Sequence, residues 1–306
     1  MDKYLVVIAG PTASGKTATA IKVAKALGTV IISADSRQFY KELPIGTAAP
    51  TKEELSEVQH YMIHNLNVED KYDVADYEND VLALLKKLFI NHDTVVLTGG
   101  SGLFIDAVCK GLDSIPDISE ETRNKVEKLY QDGGLAALQN EVQRLDPEYY
   151  NIVDKCNPRR LQRAVEVCYQ TGLTYSSFRN NTAKVRDFKI IKVALLWERN
   201  ELISRINLRV ENMISEGLLE EARAMLPKRH LNSLNTVGYK ELFEYFDGKV
   251  SLNEAVEQIK IDTRQYAKRQ MTWLRKNNDY QWFTIDEIPE MINYIKKTIN
   301  SENDNQ

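Results

Sequence analysis

Cysteine is scarce in this 306-residue chain, which has only Cys109, Cys156 and Cys168, far apart and with no C-x-x-C pair. That excludes a disulfide scaffold and leaves no zinc-ligand spacing, so all three are expected to be small buried hydrophobes. Long apolar runs are missing as well. No stretch approaches the roughly 18 residues a spanning helix needs. The opening Met1-Asp2-Lys3-Tyr4-Leu5-Val6-Val7-Ile8 passes into a strand pattern rather than a signal peptide. The expectation is a cytoplasmic protein without membrane association. Nor does charge of one sign dominate: 40 Lys and Arg against 44 Asp and Glu leave a net charge of −4, which by itself predicts no polyanionic partner. What the chain does have is 43% hydrophobic residues, enough for a full core over about two domains' length.

Two stretches depart from the acidic average. Residues 155–165 carry Lys155, Arg159, Arg160 and Arg163 with no acid, and residues 263–278 carry Arg264, Lys268, Arg269, Arg275 and Lys276 with none. Taken alone, each reads as a solvated helix face.

Apolar, β-branched runs at Tyr4–Ala9, Thr29–Ala34, Thr94–Thr98 and Ile190–Trp197 read as buried strands, with helical patterns at Lys16–Leu27, Val74–Phe89 and Ile118–Gly172. Strand then helix, repeated, implies a parallel α/β sheet. The gap before the fourth strand is far longer than one crossover helix requires, which suggests an inserted helical subdomain. Within it Asn157-Pro158 reads as an N-cap with proline at the first helical position, and Gly172 as the C-terminal stop. At about 100° per residue, Leu161, Ala164, Val165 and Cys168 share one face of that helix, and Arg159 and Arg163 point the other way. After Trp197 the pattern is mostly helical, with Leu202, Ile206, Val210 and Met213 at helical spacing, and residues 300–306 form a frayed polar tail.

Gly10-Pro11-Thr12-Ala13-Ser14-Gly15-Lys16-Thr17 satisfies G-x-x-x-x-G-K-[ST] directly between a strand and a helix. Its glycines let backbone N–H groups curl around an anion, the helix N-terminus adds partial positive charge, Lys16 supplies a full one, and Thr17 offers a hydroxyl to Mg²⁺. A nucleoside-triphosphate hydrolase would also need an acid ending a later strand. The strand Thr94–Thr98 runs instead into Gly99-Gly100-Ser101-Gly102, and the acid stands after the second strand, at Asp35. Ligands sit at the carboxyl ends of parallel strands, so Asp35, the cradle and the second glycine turn should converge on one crevice. That pattern suits a transferase better than a motor.

These residues resemble the tRNA dimethylallyltransferase family, bacterial type: the cradle, then Asp35-Ser36-x-Gln38-x-Tyr40, then Ile45-Gly46-Thr47-Ala48-x-Pro50. The resemblance continues in order through Gly99-Gly100-Ser101-Gly102-Leu103, Arg159-Arg160-x-x-Arg163-Ala164-x-Glu166-Val167, Gly238-Tyr239-Lys240-Glu241 and Thr263–Trp273. Ala49, Ser101 and Phe104 depart from the family's lysine, threonine and tyrosine. The resemblance implies an α/β fold with a P-loop NTPase-like parallel sheet flanked by helices. Residues 1–114 would be its first part, 115–186 an inserted helical tRNA-contacting subdomain, and 187–299 the core's completion with a helical C-terminal region. It implies a monomer that transfers a dimethylallyl group from dimethylallyl diphosphate to the exocyclic amine of the adenosine 3′ of the tRNA anticodon. The partners are then tRNA, through its anticodon stem-loop, and dimethylallyl diphosphate, with Mg²⁺ as cofactor.

On that reading Gly10 to Thr17 hold the diphosphate, and Asp35 is the base that deprotonates the amine as it attacks. Ser101 bonds near the amine or the diphosphate, and Arg209, with Lys16 and Mg²⁺ at Thr17, meets the charge of the departing group. An adenine must leave its stack to reach such a site. Grip on the RNA falls to Asp35, Ser36, Arg37, Gln38, Ser101, Arg123, Arg159, Arg160, Leu161, Gln162, Arg163, Arg264, Lys268 and Arg269, with Gln38 bonding the extruded base. Plainer readings stand beside these: Asp35 as a helix cap or a brace for Lys16, Arg209 as an ion-pair partner of Glu211 or Glu216, Gln38 and Tyr40 as loop packing, Trp273 as core. The rival functions are a P-loop kinase of small metabolites, prenyl transfer to free adenine nucleotides, and a non-enzymatic RNA-binding module.

Overall fold

The computed structural model describes residues 2–179 and 182–303. The chain forms two compact units, Met1–Cys109 with Arg186–Gln306, and Lys110–Val185.

In the first unit the order is β1 (Tyr4–Ala9), α1 (Lys16–Leu27), β2 (Ile31–Ser33), α2 (Lys52–Glu57), β3 (His60–Tyr61), α3 (Val74–Leu88), β4 (Thr94–Gly99) and α4 (Gly102–Lys110), which runs to the unit boundary. In the second unit stand α5 (Glu120–Leu145), α6 (Pro147–Ile152) and α7 (Pro158–Thr171). The first unit resumes with β5 (Lys189–Leu195), α8 (Arg199–Ser215), α9 (Leu218–Met225), α10 (Tyr239–Phe246), α11 (Leu252–Lys276), β6 (Gln281–Phe283) and α12 (Ile288–Asn303).

The six strands make one parallel sheet in the order β3-β2-β4-β1-β5-β6. Its central strands are apolar throughout because both faces are covered. Side chains alternate across the sheet. Leu5, Val7, Val95 and Leu97 pack with Val81 and Leu85 of α3 and Ile105 and Val108 of α4. Tyr4, Val6, Ile8, Val96 and Val193 pack with Ala20, Val23 and Ala24 of α1 and Met291 and Ile295 of α12. A further core, built on α8 to α11, takes in Tyr40, Leu43 and Val68 from the loops after β2 and β3.

The four apolar runs are strands, but two need trimming. The second begins at Ile31 and ends at Ser33, because Thr29 stands next to the left-handed Gly28 that closes α1 and Asp35 begins the site loop. The last ends at Leu195, and Trp197 is free to reach the loop after β1. Strands β3 and β6 are too short for an apolar run to announce them, and they occupy the two sheet edges, where one side needs no partner. The expected tail begins inside α12, which continues to Asn303, while 304–306 lie outside the described residues.

One close approach at the sheet's carboxyl edge matters to the site. A Cβ on Gly99 would stand 2.1 Å from the Ala34 carbonyl oxygen. The strands can bring Ser101 beside the Asp35 loop only without that carbon. Gly99→Ala is expected to destabilise the fold by about 1–3 kcal/mol, as read by chemical denaturation. An unchanged midpoint would refute the close approach.

In the second unit Val126, Leu138, Val142, Tyr149, Leu161, Ala164 and Val165 form a core among α5, α6 and α7. Asn157 caps α7 by accepting from Arg160 N at 3.2 Å, Pro158 takes the first turn, and Gly172 closes the helix with φ 72°. The single long helical pattern is broken at Gly134, with φ 62°, and again at Asp146. Cys109 and Cys168 are buried as expected, but Cys156 is exposed, since it lies in the turn before the Asn157 cap.

Candidate active site

The loop after β1 turns through Ala13 (φ 63°) and Gly15 (φ 83°), both left-handed. Gly15 adopts that region freely, whereas Ala13 must be held there. Two side chains pin its carbonyls from outside: the Trp197 indole donates to Ser14 O at 3.0 Å, and Arg205 Nε donates to Ala13 O at 2.8 Å. Arg205 also stacks on the Trp197 ring, 4.4 Å from its centroid. The first N–H groups of α1 have no helical acceptor and remain for an anion. Beneath them the Ser14 hydroxyl is fully buried with no hydrogen-bond partner in the described structure, close against Gly10.

Lys16 Nζ donates to Pro11 O at 2.7 Å. Burial first and the charge of Arg209 second push its pKa down to about 7, with Asp35 offsetting part of the fall. Arg209 on α8 is itself lowered, chiefly by burial and against the opposing charges of Asp35 and Glu216. Two cations thus crowd one carboxylate in a partly dehydrated crevice. Arg209 is no free surface partner of Glu211, which pairs with Lys260 at 2.9 Å.

Asp35 follows β2, and its Oδ1 accepts from Arg37 N at 2.9 Å, a local turn that fixes the carboxylate's orientation. Strand order places the Gly99–Gly102 turn between the Asp35 loop and the cradle. Ser101 Oγ accepts from Ser36 N at 3.0 Å. Burial with the nearby Asp35 charge raises the pKa of the Tyr266 hydroxyl to about 12, with Ser101 opposing part of the rise, so the phenol stays protonated. Gln270, buried, ties the two glycine turns together, accepting from Thr12 N at 2.8 Å and donating to Gly100 O at 2.9 Å.

Beside Ser101 opens a depression of 310 Å³ walled by Ser36, Phe104, Tyr266, Arg269 and Trp273 among others. Trp273 is both wall and core: its indole donates to Asp106 Oδ2 at 2.9 Å and lies so close under Gly102 that a Cβ there would meet the ring at 2.4 Å.

The structure therefore brings the cradle, Asp35, Ser36, Ser101 and Arg209 to one crevice. Other expected contacts fall elsewhere. The Gln38 amide donates to Ala48 O at 3.1 Å and accepts from Ser33 Oγ at 3.0 Å, so it is engaged in the protein's own loop, in favour of the packing reading over a bond to the base. Leu161 has no exposed surface and belongs to the second unit's core, so its side chain cannot touch RNA. On that unit Arg159, Arg160 and Arg123 are exposed, Gln162 donates to Glu127, and Arg163 lies 3.7 Å from Glu166. On α11, Arg264 bonds Asn207 at 2.8 Å and, with Lys268, faces away from the stripe of Tyr266, Gln270 and Trp273. Sequence reasoning missed Tyr266, Gln270, Trp197 and Arg205. The first two were findable, because with Trp273 they repeat at i, i+4, i+7.

Residues 38–277 match the profile of the IPP transferase family. The chain belongs to the IPP transferase family. Among its relatives, tRNA dimethylallyltransferase 1 of Phocaeicola vulgatus is 52% identical over 295 residues, 96% of this chain and 98% of the relative. Among solved structures, the full-length tRNA isopentenylpyrophosphate transferase from Bacillus halodurans is 33% identical, with 99% of each chain covered and a TM-score of 0.73. A eukaryotic dimethylallyltransferase acting on tRNA is 22% identical and shares the fold, with a TM-score of 0.78 over 92% of this chain and 74% of that one.

Proposed function

We propose that this chain transfers a dimethylallyl group from dimethylallyl diphosphate to the exocyclic amine of the adenosine 3′ of the tRNA anticodon. The observation that carries this is the pair of half-buried cations, Lys16 and Arg209, set against Asp35 at the mouth of an N–H cradle. An adenine amine is a weak nucleophile because its lone pair is delocalised. A new C–N bond forms at the allylic carbon as the carbon–oxygen bond to diphosphate breaks, Asp35 takes the amine's proton, and Lys16 and Arg209 meet the charge left on the diphosphate. Ser101, held by Ser36, is a hydroxyl within reach of the same space.

The described residues hold no group of three or more His, Cys, Asp or Glu able to grip a metal alone. Mg²⁺ keeps most of its waters and substrate phosphate oxygens and takes one or two protein ligands, which a hydroxyl beside the cradle can provide. Thr17, in the first turn of α1, would supply one. Mg²⁺ would add charge neutralisation at the diphosphate.

The substrate RNA would be the anticodon stem-loop, gripped by Arg123, Arg159, Arg160 and Arg163 of the second unit and by the basic residues of α11, acting on a monomer. No helix among the described residues is long and apolar enough to cross a membrane. Arg269 lines the depression beside Ser101. Arg269→Ala is expected to weaken stem-loop binding several-fold and to lower the slope of log affinity against log salt by about one, as read by titration at several salt concentrations. A larger loss at Lys268→Ala would put the RNA on the opposite face of α11.

The deciding assay incubates protein, Mg²⁺, radiolabelled dimethylallyl diphosphate and tRNA, with ATP as the control donor. Label in the RNA, and diphosphate released only when RNA is present, supports the proposal. Phosphoryl transfer from ATP would favour a kinase.

A further inference from the structure

Two family blocks in the sequence, Ile45-Gly46-Thr47-Ala48 and Gly238-Tyr239-Lys240-Glu241, take no part in the chemistry above, yet one carboxylate joins them. Glu221, in the first turn of α9, accepts from Ile45 N at 2.9 Å, from Gly46 N at 2.8 Å and from the Tyr239 hydroxyl at 2.5 Å. Gly46 must be glycine for this: a Cβ there would lie 2.4 Å from the Tyr239 hydroxyl oxygen. Beyond the clamp the loop turns through Ala48, left-handed at φ 43°, and presents the Thr47 and Ala48 carbonyls to Gln38 Nε2 at 3.4 and 3.1 Å. The other end of the same amide accepts from Ser33 Oγ, the last residue of β2 and two residues before Asp35. The loop's other hydrogen bonds, Thr47 Oγ1 to Leu43 O and Ala49 N to Pro44 O, are internal to it, and its remaining hold on the helices is the apolar packing of Leu43, Ile45 and Ala48.

We infer that Glu221 is a positioning residue for the transfer step: with Tyr239 it anchors the 45–48 loop, which holds Gln38, which fixes the segment carrying Asp35. The inference rests on the proposed function, since it concerns the orientation of the base that reading invokes. The path of contact is continuous in hydrogen bonds from α9 to the end of β2. Arg209 stands on α8, and Ile45 of the same loop packs against the core that includes Val210 and Met213 of α8 and Leu218 of α9. The helical layer that carries the leaving-group cation therefore also sets the base. Both oxygens of Glu221 are engaged by these donors within the protein.

The test is kinetic. Glu221→Gln keeps the shape but places an NH₂ group where an N–H or the phenol must donate. With saturating tRNA, kcat is expected to fall about 10- to 100-fold, the scale of a small misplacement of a reacting group, while KM for dimethylallyl diphosphate and affinity for the stem-loop stay within about twofold. Tyr239→Phe, which removes one of three donors and keeps the ring, should lower kcat by less. The double variant Glu221→Gln with Gln38→Ala should lose no more kcat than the worse single variant, because both act through one loop. A kcat within twofold of the unaltered enzyme in Glu221→Gln, additive losses in the double variant, or a matching rise in the donor's KM would each overturn the inference. The unaltered protein is assayed alongside. Failure of that protein to label RNA would defeat the proposed function itself, a result distinct from any of these.

Discussion

Asp35→Asn is expected to lower kcat by about 10²- to 10⁴-fold, the range a positioned general base contributes, with tRNA binding unchanged or slightly tighter. The substitution is chosen because it preserves the local turn: an asparagine oxygen can still accept from Arg37 N. What it removes is the ability to take a proton and one negative charge. The sign of the binding effect follows, since removing an anion beside a polyanionic substrate cannot weaken their attraction. Asp35 also faces Lys16 and Arg209, and its loss leaves those two cations opposed by less negative charge. Diphosphate binding should therefore hold or improve while turnover collapses. Single-turnover labelling with stem-loop and donor both saturating, set beside equilibrium binding of each, separates the two effects. Near-normal turnover would remove Asp35 from the base role and leave it as a turn residue.

The parts of this site that the sequence announces are those whose chemistry is local. The cradle needs its glycines and lysine at fixed spacing within eight residues, and Asp35 and Ser101 follow apolar strands whose carboxyl ends must meet in a parallel sheet. Strand order, by contrast, depends on which neighbour each two-faced apolar strand meets, and nothing in Leu5, Val7 or Val95 encodes that separately. The supports of the cradle were illegible for a related reason. Trp197 and Arg205 reach Ser14 and Ala13 across more than 180 positions of chain, and an arginine on a helix looks the same whether it stacks on a tryptophan or faces water. Gln38 shows the opposite failure. It stands in a family block between Asp35 and Tyr40, which suggests contact with substrate, but the carbonyls that claim its amide belong to Thr47 and Ala48, in a loop whose conformation is fixed by Glu221. Leu161 stands between arginines in the RNA-gripping set that the resemblance implies, but the helical spacing turns it inward, into the core of the second unit.

The lysine of the cradle carries the other large effect. Lys16→Met is expected to weaken dimethylallyl diphosphate binding about 10²-fold, the loss that goes with a charge-assisted contact, and it should also abolish a proton signature. In the free protein burial and Arg209 hold Lys16 near pH 7, so at pH 8.5 its amine is mostly neutral and rests on the Pro11 carbonyl. A bound diphosphate brings negative charge that restores the ammonium and raises the pKa toward 10.5. Binding at pH 8.5 should therefore take up close to one proton per site, falling toward zero below pH 6, where the lysine is already charged. Calorimetry in two buffers of different ionisation enthalpy measures this directly, and the methionine variant should show no uptake at any pH. The same shift governs stability with a definite sign. The folded pKa lies below the unfolded one, so between about 7 and 10.5 the unfolded chain binds more protons and stability rises with pH through this group. Below pH 7 the full cost of burying the charge is present. The methionine variant should accordingly be the more stable protein at pH 6, with the gap closing as pH rises towards 10. A gap that widened instead, or donor binding at pH 8.5 with no proton uptake by the unaltered enzyme, would mean that Lys16 is charged in the empty cradle and that burial there is weaker than the geometry implies.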